Sequence, residues 1–281
     1  MLKFLKVIGG LALGMALAAQ SSQPAHLQQG RANPVVATVA EDPELAKAIA
    51  PLAEHIHAQF GQLLVDCPAG LNRTAGPGEF PLGFLVADLM RASASRSLGT
   101  EVAFAVTNAG GIRRNLGAGP VRVQDIYEAL PFENELVVAE FTGAEVIALV
   151  REAIQGRGGE PCSGIRATVT GPVSQPRLTV TWSDGRAIDP AAMVRVATTD
   201  YLLASAEPHS ALKRARHPVT TGLAIRQVVI DALAALGRAG RPLSAPDGSR
   251  YRYSPDIKEA IQARAFHFQE TQWNGAASSR P

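Results

Sequence analysis

Aromatic residues are scarce in this chain, 5% of 281 residues. Any aromatic in an unusual setting is therefore worth following. Cysteine is scarcer, only Cys67 and Cys162. A disulfide between them and two buried thiols both remain open at this stage. Charge of one sign is lacking too: 27 basic residues stand against 25 acidic ones. No Lys/Arg run exceeds two residues, which removes the basic stripe of a nucleic-acid binder. No apolar run after the first twenty residues is long enough to span a bilayer. There is no Gly-x-Ser-x-Gly, no P-loop and no internal repeat. The six histidines are His26, His55, His57, His209, His217 and His267. His55 and His57 diverge by about 200° on a helix, too far apart to chelate one ion.

What is present begins with an export pattern. Lys3 and Lys6 precede a short apolar stretch, Val7 to Leu17, with small residues at Ala16–Ala19. This predicts a signal peptide over 1–19, hence a periplasmic, cell-envelope or secreted protein with no membrane role after cleavage. Residues 20–41 are polar and aperiodic, a linker. A single domain is expected over 42–240, and an irregular extension over 241–281.

Within 42–240 the apolar spacing alternates between two periods. Leu45, Ile49, Leu52, Ile56 and Phe60 recur at helical spacing behind Asp42-Pro43. A second helix is expected from Pro81 to about Ser95. A short helix or turn is expected at Val123–Leu130, and further helices after the capping box Thr142-Gly143-Ala144-Glu145 and over Gly222–Leu236. Strands are expected at Val102–Val106, Leu136–Glu140, Arg166–Thr170, Leu178–Trp182 and Met193–Thr198, with a turn at Asp184-Gly185. The predicted class is α+β, a mixed β-sheet packed with helices.

Two short motifs carry the chemistry. Asn108-Ala109-Gly110-Gly111-Ile112-Arg113 follows an apolar run, and Leu130-Pro131-Phe132-Glu133-Asn134 precedes another. Small residues after a strand let a backbone approach a ligand closely. Arg113 offers a planar fork, Phe132 a flat apolar face and Asn134 an amide for a base edge. An anionic ligand with a flat ring fits this set, which describes a nucleotide.

The two motifs resemble the C-terminal domain of the 5'-nucleotidase and UDP-sugar hydrolase family, in order, spacing and flanking strands. That family has Asn-Gly-Gly-Gly-Ile-Arg and Leu-Pro-Phe-Gly-Asn, so Ala109 and Glu133 are departures. The resemblance implies substrate-binding roles for Asn108, Gly110, Gly111, Arg113, Phe132 and Asn134. It implies one for Arg73 too, across a gap. It also implies a second ring face and a ribose-binding acid further on. Here Leu202 falls at the position of that ring and Pro208 at that of the acid. Tyr201 stands next to Leu202, and Asp200 or Glu207 would have to replace the acid.

The family's enzymes hold two divalent metals in an N-terminal metallophosphatase domain. None of the six histidines here stands in the Asp-x-His or Asn-His-Asp/Glu setting that domain uses. No cofactor is therefore expected in this chain, and divalent metals only through a separate metallophosphatase partner chain. Three functions remain open. One is an exported module binding a nucleotide or nucleoside, inactive alone and tied to nucleotide catabolism. Another is the substrate-presenting subunit of a two-chain hydrolase. The third is a degenerate structural or interaction protein.

Overall fold

The computed structural model of this chain describes residues 40–205 and 209–268. The predicted signal peptide and nearly all of the linker lie outside the described residues, as do Glu207 and Pro208. The chain divides into two units, 1–49 and 50–281. Of the first, residues 40–49 are described, and they contain the start of α1 (Pro43–Phe60). Then come β1 (Leu63–Cys67), α2 (Pro81–Leu98), β2 (Phe104–Val106), β3 (Gly119–Arg122), α3 (Val123–Ala129), β4 (Glu135–Thr142) and α4 (Gly143–Arg157). They are followed by β5 (Cys162–Ser163), β6 (Ile165–Thr170), β7 (Arg177–Trp182), β8 (Met193–Thr199) and α5 (Asp200–Ser205). The last described elements are β9 (Arg216–Ala224), α6 (Ile225–Arg238), β10 (Tyr251–Tyr253) and α7 (Pro255–Gln262).

The central sheet runs β5-β2-β8-β4-β9. It is mixed: β2 and β8 are parallel, the other pairs antiparallel. Its inner strands are buried on both faces, so they read as continuous apolar runs rather than alternating ones. Along β4, Leu136 and Val138 face one core, while Ala139 and Phe141 face the other. The first core packs α2, α3, α6 and β1 against the sheet. The second packs α4, α7 and the separate sheet β10-β6-β7 against the opposite face. The expected single mixed sheet is therefore divided: the β6–β7 hairpin belongs to its own layer. Cys67 lies in one core and Cys162 in the other, both as free thiols, which settles their alternatives for thiols.

The capping box forms as read. Glu145 N–H donates to Thr142 Oγ1 at 3.3 Å, and Thr142 N–H donates to Glu145 Oε2 at 2.8 Å. Arg216 grips the same carboxylate with both terminal nitrogens, at 2.7 and 3.0 Å. That guanidinium, first among several causes, holds the Glu145 carboxyl down at about 2. Its folded value lies below the ordinary 4.5, so its stabilisation is present above 4.5 and is lost as pH falls toward about 2. Glu145→Gln is expected to cost about 1–3 kcal/mol near neutral pH. The difference from the parent should shrink through that acid window in urea titrations. An equal cost at every pH would show that charge plays no part.

Two sequence expectations need correction. The helix expected from Gly222 begins at Ile225, because Arg216–Ala224 pairs with β4 as an edge strand. Pro218 and the exposed polar residues of this edge hide it from a pattern search. The stretch after Gly240 is not irregular throughout. It supplies β10, which pairs in parallel with β6, and α7. Its Tyr251, Ile257, Ile261, Phe266 and Phe268 are buried in the second core. Short elements broken by Pro and Gly carry too little periodicity to be seen in advance.

Candidate functional site

β4 runs antiparallel to β8, and β8 parallel to β2. The start of β4 therefore lies beside the ends of β2 and β8, with the first turn of α6 at the same edge. Ligands of open α/β sheets favour this kind of carboxyl-end crevice. The loop Thr107-Asn108 leaves β2 and enters a short 3-10 turn, Ala109–Gly111. Together they form a groove lined by Asn108, Gly111, Phe132, Asn134, Ile225 and Arg226, among others.

Of the seven predicted residues, four line this groove: Asn108, Gly111, Phe132 and Asn134. Phe132 does not join the core. It remains 50% exposed, one of nine large apolar side chains left to water among the described residues. Arg113 stands over it, with the guanidinium carbon 5.9 Å from the ring centroid, a cation–π distance. Arg113 also donates to the Gly110 carbonyl at 3.0 Å, which ties it to the turn. Asn108 Oδ1 is buried and accepts no hydrogen bond. A Cβ on Gly111 would come within 2.9 Å of that oxygen, so Gly111 is glycine to make room for Asn108. Neither Gly110 nor Gly111 has a positive φ, so the turn itself does not demand glycine. A Cβ on Gly110 would meet only an ordinary contact at 3.7 Å.

Arg73 lies elsewhere. Its Nη1 donates to the Ile112 carbonyl at 3.0 Å, and its N–H donates to Asn115 Oδ1 at 2.9 Å. It lines a second hollow of about 310 Å³ that meets the glycine turn at Ala109, opposite Arg157 and Phe80. The enclosed part of the Phe132 groove measures about 20 Å³, room for roughly one water. A flat ring must then lie against Phe132 in the open.

The residues around the missing second ring also differ from the reading. Leu202 is fully buried in the second core and offers no face. Tyr201 and Leu202 belong to α5, where neighbours stand about 100° apart. Tyr201 is exposed, and Asp200 Oδ1 accepts from Glu135 N–H at 3.0 Å beside Asn134.

Two residues of this region escaped the sequence reading. Arg226 donates to the carbonyls of Leu130 and Pro131, pairs with Glu133, and lies 4.0 Å over the Tyr127 ring. It fixes the turn that carries Phe132. An arginine opening an amphipathic helix gives no such signal. Glu160, between Gly159 and Pro161, reads as loop. It is 2% exposed, and its Oε2 accepts from Ala109 N–H at 2.6 Å. Burial raises its carboxyl above the usual range, against the pull of that hydrogen bond and of Arg157.

No three His, Cys, Asp or Glu side chains cluster to hold an ion among the described residues. His55 and His57 are exposed on α1. No described helix is long and apolar enough to cross a membrane.

The 5'-nucleotidase C-terminal domain family matches residues 60–214. The chain is 30% identical over 173 residues to the endonuclease YhcR of Bacillus subtilis strain 168, covering 60% of this chain and 12% of that protein. It is 28% identical over 130 residues to the protein UshA of Escherichia coli K12, covering 46% of this chain and 24% of that protein. The solved 5'-nucleotidase precursor of Thermus thermophilus superposes with a TM-score of 0.62 at 26% identity, over 77% of this chain and 44% of that one. The chain thus spans under half the length of each. With the match running through more than half of its residues and both motifs at one sheet edge, this chain belongs to the 5'-nucleotidase C-terminal domain family.

Proposed function

We propose that this chain binds a nucleoside or nucleotide, its base stacked on Phe132 and its edge read by Asn134 and Asn108. Arg113 faces the anionic side, and Arg73 serves it from the neighbouring hollow. The observation that carries this reading is Phe132 itself, half exposed under a guanidinium and flanked by an amide whose buried oxygen lacks a donor. Base stacking on one such ring contributes about 1–3 kcal/mol. Through its family the module is associated with nucleotide phosphate-ester hydrolysis and nucleotide catabolism. Hydrolysis in this reading needs the metals and water of a metallophosphatase module, and the residues described here supply the substrate side. Export through the Lys3–Ala19 segment belongs to the same reading.

A second reading has a specific observation behind it. Leu45, Ile49, Leu52 and Ile56 of α1 are all exposed, an apolar stripe of the kind that marks a contact surface. A metallophosphatase chain covering that stripe would make this the substrate-presenting subunit of a two-chain hydrolase. Calorimetric titration with adenosine, AMP and UDP-glucose tests the binding reading. Saturable binding at or below millimolar ligand is expected. No heat with any of the three would leave the motifs a structural role only.

A further inference from the structure

Behind the glycine turn the fold has buried an acid that the ligand groove does not contain. Ala109 N–H is the first free donor of the turn, and Glu160 Oε2 takes it at 2.6 Å across 51 residues of sequence. Arg157 Nε lies 3.3 Å from the other oxygen, Oε1. His209 Nε2 lies 4.0 Å from Oε1, with both ring nitrogens buried and without a hydrogen-bond partner. The backbone of Glu160 is held in turn. Tyr251 Oη donates to its carbonyl at 2.8 Å and accepts from its N–H at 3.3 Å. Gly159 has φ +123°, and a Cβ there would strike the Tyr251 ring at 2.8 Å. A carboxylate this well fixed is a support with one evident load, the turn Ala109–Gly111.

We propose that Glu160 is the positioning residue of the ligand loop: in its ionised form it holds the Asn108–Gly111 turn in the shape that binds ligand, and protonating it loosens that turn. This rests on the nucleoside-binding reading for its functional consequence, but not for its structural one. A carboxylate makes a shorter and stronger bond to a backbone N–H than a neutral acid does. Burial raises the Glu160 carboxyl, so the proton is taken up at milder acidity than at an exposed Glu. The groups facing it are Arg157 from α4, His209 ahead of the 210–214 turn, Tyr251 from β10 and the Cys162 thiol of β5. Glu152 lies beyond His209. Burial pushes the His209 imidazole down, keeping it neutral, while Tyr251 and Cys162 are pushed up and stay protonated. Of this set, Glu160 is the acid whose proton uptake burial moves toward milder acidity.

The signs separate function from stability. Ligand affinity should fall as pH drops and Glu160 takes its proton. Fold stability should move the other way at this residue: its folded pKa is raised, so ionised Glu160 costs the fold at neutral pH and protonation relieves that cost. Glu160→Gln keeps the shape and an acceptor but not the charge. It should leave stability at neutral pH unchanged or higher, so weaker binding in it cannot be assigned to unfolding.

Two arms test this. Hydrogen exchange on the ligand-free chain reads the turn directly: Glu160→Gln should speed exchange over residues 107–113 about tenfold and leave the β4–β8 ladder unchanged. Titration with adenosine, at neutral pH and at an acidic pH where the chain is still folded, reads the consequence. The parent should lose affinity about tenfold between them, and Glu160→Gln should be weak and flat. His209→Phe should keep the parent's pH dependence. Unchanged exchange in Glu160→Gln overturns the proposal, as does unchanged adenosine affinity, or a pH dependence abolished by His209→Phe instead. If the parent binds no adenosine but the turn's exchange still accelerates, the nucleoside-binding reading fails and the positioning role stands.

Discussion

A chain ending at Gly240 should not fold. The residues beyond it contribute Tyr251, Ile257, Ile261, Phe266 and Phe268 to the second core, each almost fully buried. Burying one such side chain contributes about 1.5–3 kcal/mol, so the five together come to roughly 8–15 kcal/mol. That is an upper figure, since unfolded chains already hide some apolar surface. It still matches the whole stability of an ordinary domain, about 5–15 kcal/mol. Polar losses add to it. Arg250 is buried beside Phe84, pairs with Asp88 and donates to the Cys162 carbonyl. Without it those acceptors lie under an open core. The milder variant Tyr251→Ala should cost about 3–5 kcal/mol, because it empties a ring-sized space and unpins Glu160. Circular dichroism melts of both variants check this. A cooperative melt of the shortened chain at the parent's temperature would return the segment to the status of a tail.

Phe132→Ala carries the second large effect, on binding rather than folding. Losing a stacked ring worth about 1–3 kcal/mol weakens ligand by about fivefold to about 150-fold. Because the ring is half exposed, stability should move by no more than about 0.5 kcal/mol. A core phenylalanine would behave in the opposite way, with a loss of about 3–5 kcal/mol on truncation. The two measurements together therefore decide between ligand platform and packing residue. Arg113→Ala should discriminate further. Its guanidinium lies 5.9 Å from the Phe132 ring centroid, so AMP should lose more affinity than adenosine does. Equal losses for both would restrict Arg113 to holding Gly110 and the ring.

Which parts of this were legible beforehand follows from how each residue signals. β4 reads as Leu-Val-Val-Ala-Glu-Phe because both faces are covered, and the Thr142–Glu145 box names its own helix start. The groove was legible because two motifs twenty residues apart meet at the sheet edge, and Asn108, Gly111, Phe132 and Asn134 line it together. Arg73 was only partly legible. It belongs to the neighbouring hollow and reaches the turn through the Ile112 carbonyl. Arg226 and Glu160 were not legible, since their partners are backbone groups far away in sequence, and a carbonyl or an N–H leaves no mark on composition. β9 was hidden by Pro218 and by the exposure of an edge.

β10 takes its place beside β6 in parallel, Tyr251 opposite Ala167. All of β7, β8, β9 and α6 lies between them along the chain. The second core therefore cannot close until residues 251–268 have been made. Pairings that span such lengths form late, because the entropy of closing the loop must be met before the contacts form. Until then, the apolar faces of α4 and of the β6–β7 hairpin stand open. A chain built this way leaves that apolar surface without cover until residues 251–268 are in place.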